Sequence, residues 1–110
     1  MDSTQLYNVL TEKIKKELPL KAYPIRELVR IFRDKSQPIT LKTELTITDV
    51  HNSGDISGIM CIVQNNIGNA IACSLTHLIF SSNSPLYLDI TSYQEKREKR
   101  IKKLNKLGLN

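Results

Sequence analysis

Apolar positions recur along the chain at two periods, and the change from one to the other divides it into elements. Leu6, Val9, Leu10, Ile14 and Leu18 keep helical spacing after Ser3 and Thr4, either of which suits a helix cap, and Pro19 ends the run. A second helix is expected from Pro24, because proline in the first turn lacks only an N–H that has no intrahelical partner. Ile25, Leu28, Val29 and Phe32 supply its apolar face, and it ends near Asp34, before Ser36-Gln37-Pro38.

From Leu41 the period becomes two. Leu41, Thr43, Leu45 and Ile47 point one way and Lys42, Glu44, Thr46 and Thr48 the other, which describes a strand with one face in water. His51 to Asp55 is turn chemistry, with Gly54 free to take positive φ. Ile56 to Val63 is apolar on both faces, as a central strand is. A second turn at Asn65-Asn66-Ile67-Gly68-Asn69 precedes a third strand over Ala70 to Phe80. Ser84 then reads as a cap with Pro85 at the first helical position, and Gly108 stands where a helix terminates, so the longest helix lies between them.

This order predicts an α+β fold: two N-terminal helices, a three-stranded antiparallel meander and a long basic C-terminal helix packed on the sheet. One domain is expected over residues 1–110, since no repeat, low-complexity tract or long linker divides the chain. With 40% hydrophobic and 25% charged residues, composition is that of an ordinary globular domain. No stretch reaches the ~20 apolar residues that span a membrane, and Met1-Asp2-Ser3-Thr4-Gln5 lacks the charge and apolar pattern of a leader. Cys61 and Cys73 are the two cysteines. Their apolar context predicts free buried thiols and a cytoplasmic location, with no membrane partner.

Charge changes the picture. The net charge is +5, and from Gln94 onward seven basic residues stand against Glu95 and Glu98, so that stretch of the last helix carries all of it. Leu86, Ile90, Tyr93, Ile101, Leu104 and Leu107 form its apolar stripe. Lys96, Lys99, Arg100, Lys103 and Lys106 gather on one flank, a pattern that suits a phosphate backbone. The competing explanation is structural: basic residues near a helix C-terminus meet its negative dipole end, and Glu95–Lys99 and Glu98–Lys102 are spaced as stabilising pairs. No aromatic residue interleaves the run, which disfavours base stacking on a single strand. Arg97 falls inside the apolar stripe, where snorkelling to the sheet edge is expected over burial against Asp49 or Asp55.

Catalytic and metal chemistry finds little to work with. Cys73 and His77 on one strand would stand about 13 Å apart, too far for a shared zinc ion. Asp49-x-His51-x-Ser53-Gly54-Asp55 has the steps of a calcium loop, but His51 replaces an oxygen ligand and Met60 stands where the bidentate glutamate belongs. Asp49, His51 and Ser53 are neighbours on one turn and form no triad, and there is no glycine-rich phosphate loop. The chain is therefore expected to be non-enzymatic, without cofactor, metal or evident small-molecule site. Two functions remain. One is a nucleic-acid-binding or regulatory module, for DNA or RNA, acting through Lys96, Lys99, Arg100, Lys103 and Lys106. A winged-helix form of it lacks a third helix before the hairpin. The other is a protein-interaction module, a homodimer joined through Tyr87 and Leu88, which lie off the apolar stripe, and the first helix, with the basic helix serving solubility.

Overall fold

The structure is a computed structural model that describes residues 3–65 and 69–108, with the side chains of Ser3 and Thr4, the expected caps, outside the description. Helix α1 spans Ser3–Lys15. It buries Tyr7, Leu10, Thr11 and Ile14, a clean i, i+3, i+4, i+7 set, whereas Leu6 and Val9, expected in the core, are each 45% exposed. The chain then forms a strand that the helical reading missed, β1 at Leu20–Pro24. Leu20, Ala22 and Pro24 point inward while Lys21 and Tyr23 face out. Pro24 thus ends a strand instead of opening a helix, and α2 runs from Arg26 to Asp34 with Leu28 and Phe32 buried.

Strand β2 covers Leu45–Asn52, starting later than its alternation suggests, because the chain at Thr40 to Thr43 closes a turn in which Thr43 N–H donates to the Thr40 carbonyl at 3.0 Å. Its register against β3 shifts between Ile47 and Asp49, leaving Thr48 as an extra residue. The bulge reverses the alternation, so Val50 joins Leu45 and Ile47 in the core. The hairpin tip expected at His51 to Asp55 instead holds one helical turn, α3 at Gly54–Ser57, before β3 at Ile59–Gln64. The turn expected between β3 and β4 rests in part on Asn66, Ile67 and Gly68, which lie outside the described residues.

The third expected strand is broken. Strand β4 is Ala70–Ser74, a 3-10 turn follows at Leu75–His77, and β5 is Leu78–Ile79. Strands β2, β3 and β4 make the anticipated consecutive antiparallel set, but they belong to a five-stranded sheet ordered β4-β3-β2-β1-β5. Strand β5 pairs with β1, placing Tyr23 opposite Ile79. Because only the 3-10 turn separates β4 from β5, the sheet must curl to bring its far edge within reach.

Helix α4 spans Tyr87–Lys106. Ser84 is not its cap: Leu86 occupies that position at φ +64°, and Ser84 closes a turn through its carbonyl to Tyr87 N–H. At the other end Gly108, at φ +72°, donates to the Asn105 carbonyl at 3.1 Å, as anticipated for a terminating glycine. Ile90, Tyr93, Arg97 and Leu104 are buried, while Leu107, expected on the stripe, is 61% exposed. Gln94 fastens α4 down by donating to the Leu75 and Leu78 carbonyls at 2.9 and 2.8 Å.

Candidate nucleic-acid interface

The charged surface of α4 depends on how the helix spends its two arginines. Arg97 is 2% exposed, so burial, not snorkelling, is what the fold chooses. Its Nη1 donates to the Asp55 carbonyl and its Nη2 to the Ile56 carbonyl, which ties α4 to the α3 turn. Tyr7 Oη accepts from the same Nη1 at 3.4 Å, and the guanidinium carbon lies 5.9 Å from the Tyr7 ring centroid. Tyr7 and Tyr93 meet edge to face at 5.2 Å, and Tyr93 Oη accepts from Ile59 N–H at 2.9 Å. Burial pushes the Tyr93 hydroxyl up to about 12, so it stays protonated and neutral beside the cation.

A missing side chain makes this seat possible. Gly58 sits at φ +71°, and a Cβ there would lie 2.6 Å from Tyr93 Oη and 2.8 Å from Arg97 Nε. Glycine therefore answers two demands at once, left-handed backbone and close approach. Nothing in the sequence pattern around Ser57-Gly58-Ile59 marks this role; the misplaced charge of Arg97 was the available clue.

Arg100, expected among the phosphate contacts, is engaged by Asp55. Its Nε donates to both carboxylate oxygens at 3.0 and 3.1 Å, and Nη2 also donates to Oδ2. The hydrogen bonds from Arg100 hold the Asp55 carboxyl below its ordinary value and raise the guanidinium.

The remaining members of the flank stand differently. Lys96, Lys99, Lys103 and Lys106 are all exposed, and none forms an ion pair among the described residues. At about 100° per residue they fall within an arc of about 80° and extend over about 15 Å of helix. The pairs anticipated between Glu95 and Lys99 and between Glu98 and Lys102 do not form either. The lysine line is an uncompensated positive stripe.

Beside it, a groove of about 230 Å³ runs between α1 and α4. Leu6, Val9 and Leu10 wall it on one side and Tyr93, Lys96 and Arg100 on the other, which is where the apolar flank of α1 ends up. Lys13 and Asp89 pair across it at 3.2 Å. The two residues expected at an interface part company: Leu88 is 79% exposed, whereas Tyr87 is partly buried against the core.

The other candidates for chemistry stay apart. Cys61 and Cys73 are free and buried, facing each other across β3 and β4, and burial raises both thiols, Cys73 to about 12. They are thus poor nucleophiles. His77 lies on the 3-10 turn, not on a strand beside Cys73, and no His, Cys, Asp and Glu cluster able to hold a metal occurs among the described residues. Asp49 turns back to accept from Val50 N–H at 2.9 Å and His51 is exposed, so the hairpin residues do not assemble a triad. No described helix is long and apolar enough to cross a membrane. No protein-family model, curated protein or solved structure matches the chain, and the reading of the site rests on its own residues.

Proposed function

We propose that the protein binds nucleic acid through the phosphate backbone, with Lys96, Lys99, Lys103 and Lys106 of α4 as the contacting line. The observation that carries this reading is that these four exposed lysines have no ion-pair partner among the described residues. Both acids that a solubilising helix would use to balance them, Glu95 and Glu98, leave them alone. A duplex presents one phosphate charge per ~1.7 Å of axis, so a line of about 15 Å meets enough phosphates to engage every lysine together. The groups are long, flexible ammonium ions, and the rings nearest Lys96, Tyr7 and Tyr93, are buried. They hold a backbone and do not read bases.

The test is a titration of labelled duplex DNA, single-stranded DNA and RNA at several salt concentrations. Four phosphate contacts on a duplex give a logarithmic salt slope of at least about −3.6, and affinity then falls about 150-fold or more between 50 and 200 mM salt. Changing the four lysines to glutamate abolishes binding while the protein stays folded. Salt-independent binding, or binding that survives the four changes, refutes the reading.

A second reading is favoured by one observation, the 79% exposure of Leu88 on the first turn of α4. It is a homodimer in which that side chain is covered, with the basic helix keeping the assembly soluble.

A further inference from the structure

Arg100 lies one turn beyond Lys96 and three residues before Lys103, so the lysine line passes it on α4. What sets it apart is its occupant. Nε donates to both oxygens of the Asp55 carboxylate at 3.0 and 3.1 Å, and Nη2 donates to Oδ2. A guanidinium grips phosphate with the same fork, several N–H donors directed at the oxygens of one anion.

Asp55 does not need Arg100 to stay in place. The α3 turn that carries it is held by Arg97, through the Asp55 and Ile56 carbonyls, and by the Gly58 N–H bond to the Gly54 carbonyl at 2.7 Å. The carboxylate is thus a fixed internal anion presented to a side chain that is free to turn. The Arg100 and Asp55 side chains are 35% and 33% exposed, so solvent and ligand reach the pair, and an ion pair so open to water is weakly held.

We propose that Arg100 is a fifth phosphate-binding side chain of the α4 surface, occupied by the Asp55 carboxylate in the free protein and taken over by a nucleic-acid phosphate on binding. The inference rests on the reading of α4 as a phosphate surface. One anion replaces another at the same fork, and the Asp55 carboxylate, which also stands 4.0 Å from Arg97 Nη1, loses Arg100 without covalent change. A free phosphate competes poorly with a carboxylate fixed beside the guanidinium. A phosphate delivered by the four lysines arrives at a high effective concentration and competes well. Asp55 therefore raises the threshold for binding and favours extended polyanions over isolated phosphate groups.

The experiment uses the whole chain and a short labelled duplex, comparing the wild type with Arg100→Ala and Asp55→Asn over a range of salt. With five contacts the wild-type slope is near −4.5, and Arg100→Ala makes it shallower by about 0.9. Asp55→Asn keeps the wild-type slope and tightens binding about threefold, because the competing charge is gone. A structural clasp alone would lower the melting temperature in both variants and leave the slope of Arg100→Ala at the wild-type value; that result overturns the inference. Failure of Asp55→Asn to tighten binding overturns it as well, and this arm holds even if Arg100→Ala does not fold. Absence of salt-dependent binding by the wild type refutes the parent reading instead, so the two failures are distinguishable.

Discussion

At the scale of single residues, the contact between α4 and the β2–β3 hairpin depends on Gly58. Its positive φ and the 2.6 Å approach to Tyr93 Oη leave no room for a methyl group. Gly58→Ala is expected to cost about 3 kcal/mol, combining a strained left-handed alanine with an overpacked seat, as measured by urea denaturation. Two titrating groups set the acid limb of stability. Burial lowers His77 from its ordinary value of 6.5, partly opposed by Glu27, and its Nδ1 is buried without a hydrogen-bond partner. The unfolded chain then binds a proton more readily than the folded one, so stability falls as pH drops below 6.5 toward the folded value. Asp55, lowered from 3.8 by Arg100, gives stability that is present above 3.8 and lost as pH falls below it. Acidification should therefore lower stability through both groups, from 6.5 downward for His77 and from 3.8 downward for Asp55. His77→Gln removes the loss that begins below 6.5 and Asp55→Asn the loss that begins below 3.8, and a pH dependence of stability unchanged in either variant would refute the assignment.

At the scale of elements, the hydrophobic periods identified most helices and strands but assigned some faces wrongly. The stripe on α1 rotated because Tyr7 takes a core position against Tyr93 and Arg97, which turns Leu6 and Val9 toward the groove. Strand β1 is hidden in the sequence because five residues, the last of them Pro24, are too few for a period to stand out. Its burial comes from pairing on both sides, with β2 and with β5. In β2 a single extra residue, Thr48, moved Val50 inward, an outcome set by register against β3 and not by β2 alone. On α4, the exposed Leu88 separates the two functional readings. If a homodimer covers it, Leu88→Glu converts a dimer to a monomer in sedimentation equilibrium; a wild-type monomer ends that reading.

At the scale of the whole molecule, the shortest dimension is 21 Å, which fits one sheet and one layer of helices at about 10 Å spacing. The inner face of the sheet is buried, while Lys21, Asp49 and His51 keep the outer face in water. The field of this flat body is lopsided, since the residues from Gln94 onward, most of them in α4, carry the whole net charge of +5. Like charges three and four residues apart, such as Lys99 and Lys103, repel one another without the relief of ion pairs. Salt should therefore act in opposite directions on folding and on binding. Raising it screens the repulsion and stabilises the free protein by about 1 kcal/mol, lifting the melting temperature by about 5 °C. The same change should weaken the proposed complex with nucleic acid. A melting temperature that falls with salt would show that attractive pairs dominate the surface.

The sequence by itself determined the α+β class, the long terminal helix with its glycine stop and the concentration of charge, because each follows from local period or composition. Only the tertiary structure decided the five-strand order, the insertion of β1 and β5, and the bulge, since strand pairing joins residues far apart in the chain. It also decided the fate of the basic flank with which the functional question began. The five flank residues look alike along the helix, yet the α3 turn brings Asp55 to Arg100 and to none of the four lysines, while Arg97, already set apart by its place in the stripe, goes inside. Which cations stay free depends on where acids and carbonyls from another element arrive, and a helical period contains no information about that.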